Sequence, residues 1–163
     1  MLEKQPNADL YIQAALLSSS RKAPLEETMD YLTKAYRHGT QEQQSRAAVI
    51  ATLRNGDNKK FAEAREWANK IQAPDFRFDK TVLMASLNLE EGKWRQAAAE
   101  IKRARAMTSR QGRFFDENHL LQIQLLVIGR YDNPQQALQE LNFLHDQIAR
   151  RPNNAENLSA VLY

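Results

Sequence analysis

Apolar positions recur along this chain with helical period, and one arrangement of them occurs four times. It is cleanest after Glu91-Gly92-Lys93, where Trp94, Ala97, Ile101 and Ala104 are separated by 3, 4 and 3 residues. That spacing draws one stripe on a helix, while Lys93, Arg95, Lys102 and Arg103 face other ways. The same offsets relate Leu25, Thr28, Leu32 and Ala35, then Phe61, Ala64, Ala68 and Ile71, and finally Pro134, Ala137, Leu141 and Leu144. The copies follow one another at steps of 36, 33 and 40 residues. A period of about 34 residues built from paired helices is the mark of a helical-hairpin solenoid, in which each hairpin buries its apolar face against the next.

The segments between the stripes are helical too. Ala8 to Ser19 reads as a first helix, and Pro24 suits the first turn of a second, where its missing N–H is no loss. His38-Gly39 ends that helix, with Gly39 as its expected C′ residue. Thr40 and Gln43 form a capping-box pattern that opens a third helix carrying Ala47, Ala48, Ile50, Ala51 and Leu53. Asn55-Gly56-Asp57-Asn58 stops it, and the fourth helix ends at Ala73-Pro74. Asp75 is the expected N-cap of a fifth helix with Phe78, Val82, Ala85 and Leu89. Gly92 leads into the sixth. After a polar break at residues 108–112, a seventh helix runs from about Phe114 to Ile128. Asn133-Pro134 caps and opens an eighth, and Ala155 to Leu162 can begin a ninth after Pro152-Asn153-Asn154. The reading is one all-α domain over 1–163, with repeats at 8–39, 40–74, 75–109 and 113–151 and the start of another at 152–163.

Composition agrees. Five Gly and five Pro in 163 residues are too few to punctuate a strand-rich fold. Net charge is +3, and the basic residues are mixed with acids along most of the chain, unlike the one-sided surplus of a nucleic-acid binder. The absence of cysteine removes disulfides, thiol catalysis and the usual structural zinc sets, and fits a cytoplasmic or a periplasmic setting equally. Residues 1–7 hold no apolar signal-peptide core, and apolar runs such as Leu125 to Ile128 are far too short to span a bilayer.

Candidate chemistry is sparse. His38, His119 and His145 lack metal-ligand spacing, and Asp116-Glu117 reads as acids favoured by the positive end of a helix. Ser18-Ser19-Ser20 has no nucleophile-elbow context, the glycines are too scattered to cradle a phosphate, and Glu90-Glu91 reads as solvated. No catalytic, cofactor or metal site is expected, and the chain is read as a non-enzyme. Lys102, Arg103, Arg105, Arg110 and Arg113 form the strongest electrostatic feature. They can attract an acidic segment or a polyanion, but also suit a helix C-terminus.

Gly92, Trp94, Ala97, Ile101 and Ala104 match the pattern of the tetratricopeptide repeat (TPR), and the chain resembles a degenerate, bacterial-type array of that family. Thr28 stands where the pattern has its first Ala, Ile71 and Leu144 replace the last, and Gly56 and Gly129 lie three residues further from Ala64 and Ala137 than Gly92 does from Ala97. The resemblance implies a right-handed TPR-like α-solenoid of about four antiparallel hairpins plus a partial terminal helix. Both ends fall within the repeat rhythm, so the chain is expected to be a segment of a longer array, with neighbouring repeats as contacts. The family binds peptides or partner helices in a concave groove lined by the first helix of each hairpin. Its groove positions fall on Gln13; on Arg46, Ile50 and Arg54; on Asp79, Val82, Ser86 and Glu90; and on Gln122, Leu126 and Arg130. The expected function is a scaffold for a protein or peptide partner. One alternative by family analogy is the periplasmic TPR region of a bacterial exopolysaccharide export protein, which recruits modifying enzymes or guides polymer. Another is binding of a polyanion or nucleic acid on the basic run. The Lys/Asn/Lys/Arg set with which TPR co-chaperones grip a terminal carboxylate is absent.

Overall fold

A computed structural model describes residues 7–150. Among them are eight α-helices and no strand: α1 (Ala8–Ser20), α2 (Leu25–His38), α3 (Gln41–Asp57), α4 (Phe61–Asn69), α5 (Arg77–Glu90), α6 (Trp94–Arg105), α7 (Glu117–Ile128) and α8 (Pro134–Ala149), with a 3-10 turn at Pro74–Phe76. The expected ninth helix and the junction motifs at both ends lie outside the described residues.

Local chemistry sets most boundaries. The Asn7 side chain accepts from the Asp9 N–H at 2.9 Å, so α1 begins with one orphan donor satisfied. Thr40 and Gln43 make the expected reciprocal capping box. Asn133 accepts from the Gln135 and Gln136 N–H groups ahead of Pro134. At Gly92 the backbone takes φ +77°, which a side chain would strain.

Helix α3 stops within the expected stretch Asn55 to Asn58, at Asp57 with Asn58 as its C-cap, and Lys59, at φ 61°, makes the turn. Three expectations are corrected. Gly39 is not left-handed (φ −90°); its missing side chain matters because a Cβ would sit 2.8 Å from the Ala35 carbonyl. Asp75 caps nothing, because Pro74 starts a 3-10 turn, and its carboxylate pairs with Arg113 at 2.9 Å. The seventh helix starts at Glu117 rather than Phe114. Asp116 is its N-cap, bonded to the Asn118 and His119 N–H groups, while the His119 ring accepts from the Asp116 N–H. Burial works against the charged carboxylate of Asp116, but the bonds from His119 and Asn118 prevail and hold it below the usual carboxylate range.

Packing runs between near neighbours in sequence. Each even helix packs on the odd helix before it, and α3, α5 and α7 each touch both helices of the preceding pair or its connection: α2 and α1, α4 and α3, α6 and α5. The buried apolar side chains fall into four clusters joined through the odd helices. Ala47, Ile50 and Ala51 of α3 close the first with α1 and α2, while Ala48 and Val49 of the same helix enter the next with Ile71, Phe76 and Leu83. Helix α5 divides likewise, and α7 gives Leu120 and Val127 to one cluster and Leu121 and Ile128 to another. The even helices therefore show one clean stripe, and the odd helices two apolar faces.

The small residues of the stripe sit where helices meet. Ala35, Ala64, Ala68, Ala97 and Ala104 are fully buried. Ala97→Leu is expected to overpack the α5–α6 contact and to destabilise by roughly 1–3 kcal/mol, read as a lower urea midpoint at unchanged slope. A midpoint equal to that of the parent would show that Ala97 does not hold these helices together.

Candidate interaction surface

The eleven groove positions carried over from the family pattern separate into two groups. Ile50, Asp79 and Val82 are buried at 5%, 0% and 1% exposure and are corrected as partner contacts. The odd helices bury two faces instead of one, so these side chains point into the molecule. Gln13, Glu90, Gln122, Leu126 and Arg130 are exposed, and Arg46, Arg54 and Ser86 half-buried. Arg46 lies 3.5 Å from Glu42 and 4.0 Å from Asp9, tying α3 to α1. Arg54 pairs with Asp57 at 3.5 Å, and its Nε is buried without a hydrogen-bond partner.

Asp79 has a different task. Its carboxylate accepts the backbone N–H groups of Arg113, Phe114 and Phe115 at 2.8, 2.9 and 2.8 Å. These belong to the stretch 106–116 between α6 and α7, the longest connection among the described residues. A Cβ at Gly112 would run into this carboxylate, so the close approach requires glycine there.

The loop that Asp79 holds walls an open cleft of about 1350 Å³. Its other walls are the α4–α5 connection, one side of α5 and the last turns of α6. Arg77, Lys80, Thr81 and Met84 fall three, one and three residues apart, the spacing of a helix face, and α5 presents them to the cleft. Met84, Met107, Ile71 and Phe78 supply apolar surface, and Gln72, Thr108, Ser109 and Gln111 supply hydrogen-bonding groups. Charge in the lining is four basic side chains (Arg77, Lys80, Arg103, Arg113) against two acidic (Asp75, Glu100). Arg103 pairs with Glu100 at 3.0 Å and Arg113 with Asp75, whereas Arg77 and Lys80 make no ion pair among the described residues.

None of the eleven groove positions lines this cleft. A legible signal for it was the polar break at residues 108–112; long ordered loops in compact domains often carry function.

The basic run is divided among internal partners. Arg103 and Arg113 are paired as above, Arg110 meets Glu117 at 3.0 Å, and Arg105 reaches across to the Gln124 amide. Burial between α6, α7 and α8 pulls the Arg105 pKa down, while its guanidinium lies 5.0 Å from the Phe143 ring centroid. Trp94 is half-buried against Tyr131, with ring centroids 4.9 Å apart, and Trp67 against Tyr36 at 5.8 Å, so both pack within the helix array. On the far side, Arg65 of α4 bonds both Asn88 and Glu91, and the Arg65 bond together with Lys93 holds the Glu91 carboxyl below its ordinary range despite some burial.

Among the described residues no group of three or more His, Asp or Glu side chains is arranged to hold a metal ion. No helix there is long and apolar enough to cross a membrane. Comparison with protein-family models, curated proteins and solved structures finds no match to this chain.

Proposed function

We propose that this chain is a TPR-like, right-handed helical-repeat scaffold, a non-catalytic module that holds an extended, acidic segment of a partner protein. The cleft beside α5 carries this reading: it combines an apolar floor, hydroxyl and amide groups, and two cations, Arg77 and Lys80, with no carboxylate of their own. At about 1350 Å³ it exceeds the roughly 300–1,000 Å³ of small-molecule pockets, a size suited to several residues of peptide. The neighbour-to-neighbour packing and the shared odd helices support the repeat assignment. Internal pairing of Arg103, Arg105, Arg110 and Arg113 argues against a polyanion on the basic run.

The test is fluorescence anisotropy with a labelled decapeptide of alternating Glu and Leu, and with its Gln/Leu counterpart. Saturable binding of the acidic peptide alone is expected. Reversing both cations, Arg77→Glu with Lys80→Glu, should weaken it about tenfold or more, as loss of a central charged anchor does. Arg46→Glu with Arg54→Glu should leave it unchanged. The opposite result would move the docking site to the exposed positions of α1 and α3, and equal binding of both peptides by every variant would sink the acidic-segment reading.

A further inference from the structure

The lining of the cleft shows how this chain meets single carboxylates, and which cations it leaves over. Glu100 takes Arg103 at 3.0 Å and Asp75 takes Arg113 at 2.9 Å, one cation to one carboxylate. Arg77 and Lys80 belong to the same lining and make no ion pair among the described residues. Asp79 stands between them in sequence but is already engaged. Its carboxylate is fully buried and bound by the N–H groups of residues 113, 114 and 115.

Both cations occupy the opening turns of α5, which starts at Arg77. The positive end of a helix dipole disfavours cations there, and no free carboxylate of the lining offsets it. Three residues apart on one helix face, their Cβ atoms lie about 5–6 Å from each other, close enough for both side chains to reach one group. A partner's carboxylate has one charge and two oxygens, and one guanidinium satisfies it, as it does Glu100 and Asp75. A phosphoryl ester carries about two negative charges near pH 7 and three free oxygens, enough for a guanidinium on one side and an ammonium on the other. Thr108, exposed on the loop that walls the cleft, adds a hydroxyl.

From this we infer that the acidic partner segment is a phosphorylated one, its phosphoryl group seated between Arg77 and Lys80 while a neighbouring apolar residue rests on Met84 and Met107. The inference rests on the peptide-binding reading above and narrows it. Capture of the partner then depends on its phosphorylation, because loss of the phosphoryl group leaves a neutral hydroxyl where two cations need an anion. The half-buried methionines are flexible and polarizable, so they accept apolar neighbours of different shape while the charge pair reads the phosphate.

The test compares three labelled decapeptides of one Leu/Gln sequence by fluorescence anisotropy at constant ionic strength, with phosphoserine, Glu or Ser at a central position. The phosphoserine peptide should bind about tenfold or more tighter than the Glu peptide, and the Ser peptide should bind weakest. Its affinity should rise severalfold from about pH 5 to pH 7 as the phosphate gains its second charge near pH 6, whereas the Glu peptide, already ionised, should change little. Among the described residues no histidine lines the cleft to imitate that rise. Arg77→Gln and Lys80→Gln should each cut the preference for phosphoserine over Glu severalfold, with circular dichroism unchanged. Equal binding of the phosphoserine and Glu peptides, with the alternating Glu/Leu decapeptide still held, would overturn this inference and leave the acidic-segment reading standing. Failure of every peptide, the alternating one included, would overturn both. A phosphoserine preference that survives Arg77→Gln combined with Lys80→Gln would put the phosphate elsewhere and overturn the inference as well.

Discussion

Asp79→Ala is expected to lower stability by about 3 kcal/mol, through three backbone N–H groups that lose their common acceptor. For a chain of this size that corresponds to a fall of roughly 6–12 °C in melting temperature. The carboxylate is fully buried, and the loop N–H groups at 113, 114 and 115 all converge on it. Asp79→Asn retains one acceptor oxygen and should fall between parent and Ala variant. Gly112→Ala attacks the same contact from the loop side, because its methyl group would displace the carboxylate. Loosening 106–116 should also speed tryptic cleavage after Arg110 and Arg113. A variant lacking the Asp79 carboxylate that melts within about 2 °C of the parent and resists trypsin equally would show that the loop holds itself.

Phe76→Ala should be the most damaging single truncation, costing about 3–5 kcal/mol. Phe76 is the largest of the fully buried side chains and sits in a cluster with Ala48 and Val49 of α3 and Leu83 of α5. Its ring also lies 6.2 Å from that of Phe114, so it touches the loop that Asp79 anchors. Because it joins the second helix pair to the third, its removal should leave a void that neither pair can fill alone. Urea unfolding followed by circular dichroism should show the midpoint falling, with a broader transition if the two halves then unfold separately. A loss under about 1 kcal/mol would mean that the cluster collapses around the missing ring.

The even helices were legible because each has a single buried stripe. A pattern of 3, 4 and 3 on an otherwise polar helix has one interpretation, and for α8 the capping residue Asn133 confirms the boundary locally. The odd helices were legible as helices but not in orientation. Residues 47–52 are buried without interruption, so no sequence period separates a face turned to the preceding pair from one turned to the following pair. Ile50 and Val82 were misplaced for that reason. Asp79 was misplaced for another: its partners lie 34 to 36 residues away, in a loop whose path no local pattern records. Asp75 failed the same way, since its neighbours suggested a cap while the distant Arg113 claimed its carboxylate. The cleft depends on both of these long connections. Its residues, spread over three helices and two loops, carry no shared spacing.

Among the described residues, the hydrogen bonds and ion pairs made by side chains reach no further than the 38 positions from Asp75 to Arg113. An emerging polypeptide therefore never has to wait long for a partner. Once about one more repeat has left the ribosome, each helix pair has everything it packs against, and the array can be completed from the N-terminus in the order of synthesis. The Asp79 contact is one that must wait in that order, since α5 has to keep a carboxylate ready until the loop at 113–115 arrives to cover it.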